Sequence, residues 1–168
     1  MADRLMANLP KRKANRLQKF DYSADGGYFI TICTAGMRCI LSRVTVGALC
    51  DRPPETVISD LGKIVDDEIS RLDSVYDCLH VDHYVIMPNH IHMILMIDTA
   101  SGRSQIAPTI SRVVRLFKSA VTKRAGKSIW QNGFHDHVLR DDRDYIMHLQ
   151  YIDENPEKWL LGKDEYYS

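Results

Sequence analysis

The sequence predicts an α+β domain of the ferredoxin-like, split βαβ kind: a four-stranded antiparallel sheet with two crossover helices on one face and a further helix after the last strand. Three observations predict it. Two apolar runs, 79–87 and 90–97, meet across Pro88-Asn89 as a hairpin. Two stretches with apolar residues at helical spacing fall on either side of that hairpin. A β-branched and aromatic run opens the series at Tyr28 and a shorter one closes it at Phe134, so the order is strand, helix, strand, strand, helix, strand, helix.

Residues 1–20 are polar and basic without periodicity, and read as an arm preceding a core over 21–160, within one domain spanning 1–168. After Gly26-Gly27, Tyr28-Phe-Ile-Thr-Ile-Cys-Thr34 is the first strand. Residues 36–57 are mixed and Pro53-Pro54 marks a break. Ser59 is an N-cap for a helix whose Leu61, Ile64, Val65, Ile69 and Leu72 recur at helical spacing. In the hairpin, Pro88 fixes φ and Asn89 tolerates a left-handed turn position. A loop over 98–108 leads to a second amphipathic helix on Ile110, Val113, Val114, Phe117 and Val121. Phe134 to Arg140 is the fourth strand. Asp141 or Asp142 caps a last helix, which Pro156 is expected to end while pushing Asn155 out of the helical region. With both crossover helices on one sheet face, the other is expected to lie open for a site.

The net charge is zero, but it is arranged in blocks. Residues 1–19 carry six Lys/Arg against one acid, and residues 101–127 carry seven against none; 51–77 and 135–168 hold 8 and 9 carboxylates. A basic face that meets a phosphate backbone is compatible with that total, as are ordinary solvated helix faces. No apolar run approaches the ~18 residues of a membrane helix. Cys33, Cys39, Cys50 and Cys78 form no C-x-x-C pair and read as reduced, mostly packed thiols. The chain reads as cytoplasmic.

Chemistry is concentrated in two places. His90-Ile91-His92 opens the second hairpin strand, and alternation projects both imidazoles from one face as a two-histidine metal clamp; alone, the pattern is more often that of a bland surface pair. On the last helix Tyr145, Leu149 and Ile152 form the packing face. Tyr151 and Asn155, four residues apart, share an adjacent face, with His148 beside them as an auxiliary base or a solvated histidine. His135 and His137 repeat the H-x-H spacing and read as framework or substrate-facing residues; Trp130 reads as core.

Val-Ile-Met-Pro-Asn-His-Ile-His in the hairpin, Ile-Trp-Gln at 129–131, Phe-His-Asp-His-Val-Leu-Arg at 134–140 and Tyr-Ile-Asp-Glu-Asn-Pro at 151–156 together resemble the HUH single-tyrosine (IS200-like) transposases, in particular the REP-associated tyrosine transposases. Arg16-Leu, Asp21-Tyr-Ser and the first strand extend the resemblance over nearly the whole chain.

The resemblance implies a divalent ion, Mg²⁺ or Mn²⁺, held by His90, His92 and Asn155, with Tyr151 as the nucleophile that leaves a 5′-phosphotyrosine and a free 3′-hydroxyl. Its implied substrate is single-stranded or hairpin DNA, tracked by Lys11, Arg12, Lys13 and Arg16 of the arm and by Arg112, Arg115 and Lys118 of the second helix. The enzyme would be a monomer, or a homodimer with exchanged helices. A nucleic-acid-binding module on the same fold and a metal-dependent phosphodiesterase using activated water are the competing classes.

Overall fold

The computed structural model describes residues 25–46, 53–100 and 108–162. Four strands form one antiparallel sheet: β1 (Gly26–Cys33), β4 (Leu79–Ile86), β5 (His90–Ile97) and β6 (His135–Leu139), in the order β4-β5-β1-β6. This is the split βαβ order. Helices α1 (Asp60–Ser70) and α3 (Ile110–Ala125) are the crossovers, and a single turn, α2 (Leu72–Val75), follows α1.

The alternation of each central strand divides its residues between two cores. Tyr28, Ile30 and Ile32 of β1, with Ile91, Met93, Leu95 and Ile97 of β5, face α1 and α3, whose Val65, Ile69, Val113, Val114, Phe117 and Val121 are buried against them. Each such aliphatic or aromatic side chain contributes about 1.5–3 kcal/mol by leaving water. Phe29 and Ile94 point the other way. They meet Ile152, with Tyr145 and Leu149 packed around, on helix α4 (Asp142–Leu160). The second face is therefore not open as expected: α4 lies across it and the sheet is buried on both sides.

Three local expectations are met at the atom level. The Ser59 hydroxyl accepts from the Gly62 N–H (3.0 Å), and the Asp141 carboxylate from the Asp144 N–H (2.8 Å). Trp130 is 6% exposed, its ring 5.9 Å from that of Phe117. One expectation fails, and the mixed stretch proves to hold strands. Within residues 36–57 a two-stranded ribbon forms, β2 (Ser42–Thr45) with β3 (Glu55–Ile58). Helix α4 runs through Pro156 to Leu160: proline forfeits one N–H and one intrahelical bond, yet the packing of Ile152 against Phe29 and Ile94 holds the helix on course.

The Pro88-Asn89 turn is fixed from two sides. Thr34 donates its N–H (2.8 Å) and hydroxyl (3.0 Å) to the Asn89 carbonyl, and the Leu41 N–H donates to the Pro88 carbonyl (3.0 Å). Leu41 in turn accepts from the Ser59 N–H at the start of α1 (2.8 Å), where Gly62 passes so close that a Cβ would collide with the Leu41 carbonyl oxygen. Backbone cannot yield as a flexible side chain does. Gly62→Ala is therefore expected to destabilise the protein by about 3 kcal/mol in denaturant titration, despite the better helix propensity of alanine.

One cation of the second basic block meets the acids of the first helix. Arg124 of α3 pairs with Asp67 (2.7 Å) and Glu68 (2.9 Å) of α1. No helix among the described residues is long and apolar enough to cross a membrane. Cys33 and Cys78 are buried thiols and Cys39 is an exposed one.

Candidate active site on the second sheet face

His90 and His92 lie on β5 opposite Cys33 and Thr31 of β1, and both are fully buried, not the partly exposed pair that the spacing alone allows. Their ring centroids are 4.5 Å apart. His90 Nδ1 bonds to Asn89 Oδ1 (2.7 Å) and His92 Nδ1 to Thr31 Oγ1 (2.8 Å). Because a carbonyl oxygen only accepts, His90 carries its proton on Nδ1 and presents the Nε2 lone pair; with Thr31 Oγ1 accepting, His92 does the same. Burial, and then the neighbouring His90 and His148, hold His92 well below the ordinary imidazole pKa of 6.5, so it is neutral near pH 7.

This burial has a sign. The folded pKa lies below the unfolded one, so on acidification the unfolded chain takes the proton first. Stability from the neutral imidazole is complete above about pH 6.5 and drains as pH falls towards the folded pKa. Melting temperature scanned from about pH 7.5 to about pH 5 is expected to drop, and to drop less in His92→Gln.

Helix α4 brings Tyr151 to the clamp, with Asn155 one turn further along the same helix. The Tyr151 ring stands edge-on to His92 at 5.2 Å and to Phe29 at 6.0 Å, and Lys158 Nζ lies 4.8 Å from its centroid. Asn155 keeps its helical position before Pro156, so the i,i+4 relation to Tyr151 survives. Its side chain is fully buried, and neither amide oxygen nor nitrogen has a hydrogen-bond partner among the described residues. An unmet buried amide is costly, about 1–3 kcal/mol per group, unless a donor or a cation meets its oxygen. Two imidazoles with nitrogens turned from their Nδ1 partners and one carbonyl oxygen form a donor set that fits a divalent cation.

Tyr145 is differently held. Its hydroxyl donates to Asp82 Oδ2 (2.8 Å) at a bulge in β4, and that bond, with burial and the carboxylate's charge, raises its pKa. It is partly exposed and anchored, rather than the wholly packed residue that its helix face suggests.

The remaining predicted residues scatter. Arg112 and Arg115 are exposed on α3, whose apolar side packs on the sheet face opposite the clamp. Lys118 is spent on backbone: its ammonium donates to the carbonyls of Gln131 (2.6 Å) and Gly133 (2.8 Å), and burial lowers its pKa. Lys11, Arg12, Lys13 and Arg16 lie outside the described residues. His148 packs on Phe29 (4.7 Å) and bonds through Nδ1 to the Asp144 carbonyl (2.8 Å); His83 bonds to Asp153 (2.7 Å). Two features were not anticipated. Lys158 over the tyrosine lies seven residues on, the i,i+3/i,i+4 spacing taken twice, and so was available from the helix period. A groove of about 530 Å³ between the β2-β3 ribbon and α4 is bounded by Pro88, Arg43 and Trp159, and the Trp159 ring lies 6.2 Å from His90.

No family model matches the chain. An uncharacterized protein of Haemophilus influenzae is 28% identical over 95% of this chain and 96% of its own length. The REP-associated tyrosine transposase of Escherichia coli K12 is 32% identical over 79 residues, 46% of this chain and 44% of that protein, so the aligned part spans under half of that relative. Among solved structures, a REP-associated tyrosine transposase bound to a REP hairpin superposes with a TM-score of 0.61, at 21% identity, over 85% of this chain and 74% of that one. The fold is therefore that of a REP-associated tyrosine transposase of known structure, and nearly half of the chain is similar in sequence to the REP-associated tyrosine transposase of Escherichia coli K12.

Proposed function

We propose that the protein is a transposase that cuts and rejoins single-stranded DNA at or beside a hairpin, with Tyr151 as the nucleophile and a Mg²⁺ or Mn²⁺ ion held by His90, His92 and Asn155. The observation that carries this reading is the meeting of Tyr151 with the buried clamp, 5.2 Å between its ring and that of His92, one helical turn from an amide with no hydrogen-bond partner among the described residues. A bound divalent ion would polarise the scissile phosphate and offset the charge that develops on its oxygens.

The chain's own groups supply the rest. Tyr151 Oη forms a bond to phosphorus as the P–O3′ bond breaks; the phenolic proton leaves the nucleophile, the departing 3′-oxygen takes one up, and the 5′-phosphate stays on the protein. Lys158, above the ring, favours the phenolate on attack and again when rejoining expels it. Rejoining is the same step run backwards with a different 3′-hydroxyl. The phosphodiester energy is kept in the phosphotyrosine, so no nucleotide cofactor enters.

Single-stranded DNA fits the groove beside the clamp, where Trp159 offers a stacking face and Arg43 a charge for the backbone. Arg112 and Arg115 occupy the other layer, so the DNA they hold is a second segment, such as a hairpin stem, and not the strand at the tyrosine. Tyr151 meets the clamp of its own chain, so a monomer carries the full set of groups.

The test is incubation with end-labelled hairpin DNA bearing a single-stranded flank and Mn²⁺, followed by a denaturing gel. A band of covalent protein–DNA adduct is expected. Cleavage without any adduct, or binding without cleavage, counts against the proposal.

A further inference from the structure

Two imidazoles pack on Phe29. One is His92 of the clamp (5.1 Å); the other is His148 (4.7 Å), which belongs to a separate cluster. His137, from β6, stacks on His148 with ring centroids 4.6 Å apart and planes 21° from parallel. Asp144, one turn before His148 on α4, lies against both: His137 Nε2 is 2.9 and 3.1 Å from its two carboxylate oxygens, and His148 Nδ1 is 3.2 Å from Oδ1. One ligand atom from each residue lies within 4.8 Å of the others.

The two histidine–carboxylate separations are those of neighbouring ligands on one ion, and the third pair of ligand atoms lies within 4.8 Å. With bonds of about 2.1 Å, adjacent ligands stand about 3 Å apart around an octahedral ion and about 3.4 Å around a tetrahedral one. Two imidazoles and one carboxylate are the donors that transition ions prefer. The Arg140 N–H fixes Asp144 from behind (3.1 Å), and the three side chains are 37%, 19% and 16% exposed, open enough for an ion to enter from solvent. Hydrogen bonding accounts for each histidine's contact with Asp144 separately. It does not account for two imidazoles stacked over the same carboxylate.

We propose that His137, Asp144 and His148 form a second divalent-cation site beside Phe29, binding a transition ion such as Zn²⁺ or Mn²⁺ through His137 Nε2, an Asp144 carboxylate oxygen and His148 Nδ1, with no ligand shared with the His90-His92 clamp. An entering ion displaces the protons now shared with the Asp144 carboxylate and carbonyl. It would tie β6 to the first turns of α4 and so steady the helix that presents Tyr151. The inference is independent of the clamp reading, because the two donor sets have no residue in common.

The experiment is a titration of the full chain with micromolar Co²⁺, followed by visible ligand-field absorption and calorimetry. His90→Gln/His92→Gln is expected to retain one equivalent, and His137→Gln/His148→Gln to lose one relative to wild type. Asp144→Asn keeps an oxygen for the bonds from His137 and the Arg140 N–H, so it decides the matter if the double variant does not fold; its Co²⁺ affinity at this site is expected to fall at least about tenfold. Wild-type stoichiometry in the His137/His148 variant, or unchanged affinity in Asp144→Asn, overturns the proposal. A single wild-type equivalent that only the His137, Asp144 and His148 substitutions remove would support it and sink the clamp instead.

Discussion

Tyr151→Phe is expected to abolish the covalent protein–DNA adduct and to lower cleavage by about 10⁴-fold or more, with the fold and hairpin affinity nearly unchanged. Only one oxygen is removed. The phenylalanine keeps the ring that packs edge-on against His92 and Phe29 and lies beneath Lys158, so the clamp retains its neighbours. Tyr145→Phe is the matched control from the same helix. It forfeits a hydrogen bond to Asp82, about 1 kcal/mol at a partly exposed site, and is expected to leave adduct formation intact. The pair of variants also separates reaction classes, since a phosphodiesterase working through activated water keeps its turnover in both. An adduct that persists in Tyr151→Phe and disappears in Tyr145→Phe would exchange the roles assigned to the two tyrosines.

The second large effect is expected at Asn155, with opposite signs for stability and chemistry. Its amide is fully buried with neither polar atom bonded within the described residues, which costs about 1–3 kcal/mol per group in the metal-free protein. Asn155→Leu removes that cost at similar volume. The melting temperature without metal is expected to rise by about 5 °C, at roughly 2–4 °C per kcal/mol for a chain of this size. Mn²⁺ affinity at the clamp is expected to fall about 10–100-fold, and cleavage with it. Calorimetry with and without Mn²⁺ reads both quantities. A lower melting temperature together with unaltered Mn²⁺ affinity would make Asn155 a structural residue.

How far the sequence could be read follows from the range of the forces involved. Ser59 and Asp141 were legible as caps because a cap acts within three residues, and the hairpin because Pro88-Asn89 sits between two apolar runs. The β2-β3 ribbon escaped because each strand has four residues and Pro53-Pro54 interrupts the stretch joining them. The passage of α4 through Pro156 escaped for another reason: proline's local preference is outweighed by the packing of Ile152 on Phe29 and Ile94, which depends on where the helix lands. Tyr151, Asn155 and the two histidines were singled out by pattern and resemblance, but the burial of the clamp was not foreseen, since it is α4 that covers the second sheet face. The grouping of His137 with Asp144 and His148 joins a strand to a helix and leaves no spacing to notice.

The clamp's placement rests on parity. His90 and His92 reach α4's side of the sheet while Ile91 and Met93 fill the opposite core, in a register pinned by Thr34 and Leu41 at the turn. Insertion or deletion of one residue between the turn and His92 would turn both imidazoles into the apolar core and force isoleucine and methionine into the site. Point substitutions can drift through this hairpin, but a change in its length cannot be absorbed gradually. In lineages descended from this chain, the number of residues between Leu41's partner at Pro88 and His92 is expected to stay fixed even where the residues themselves have been replaced.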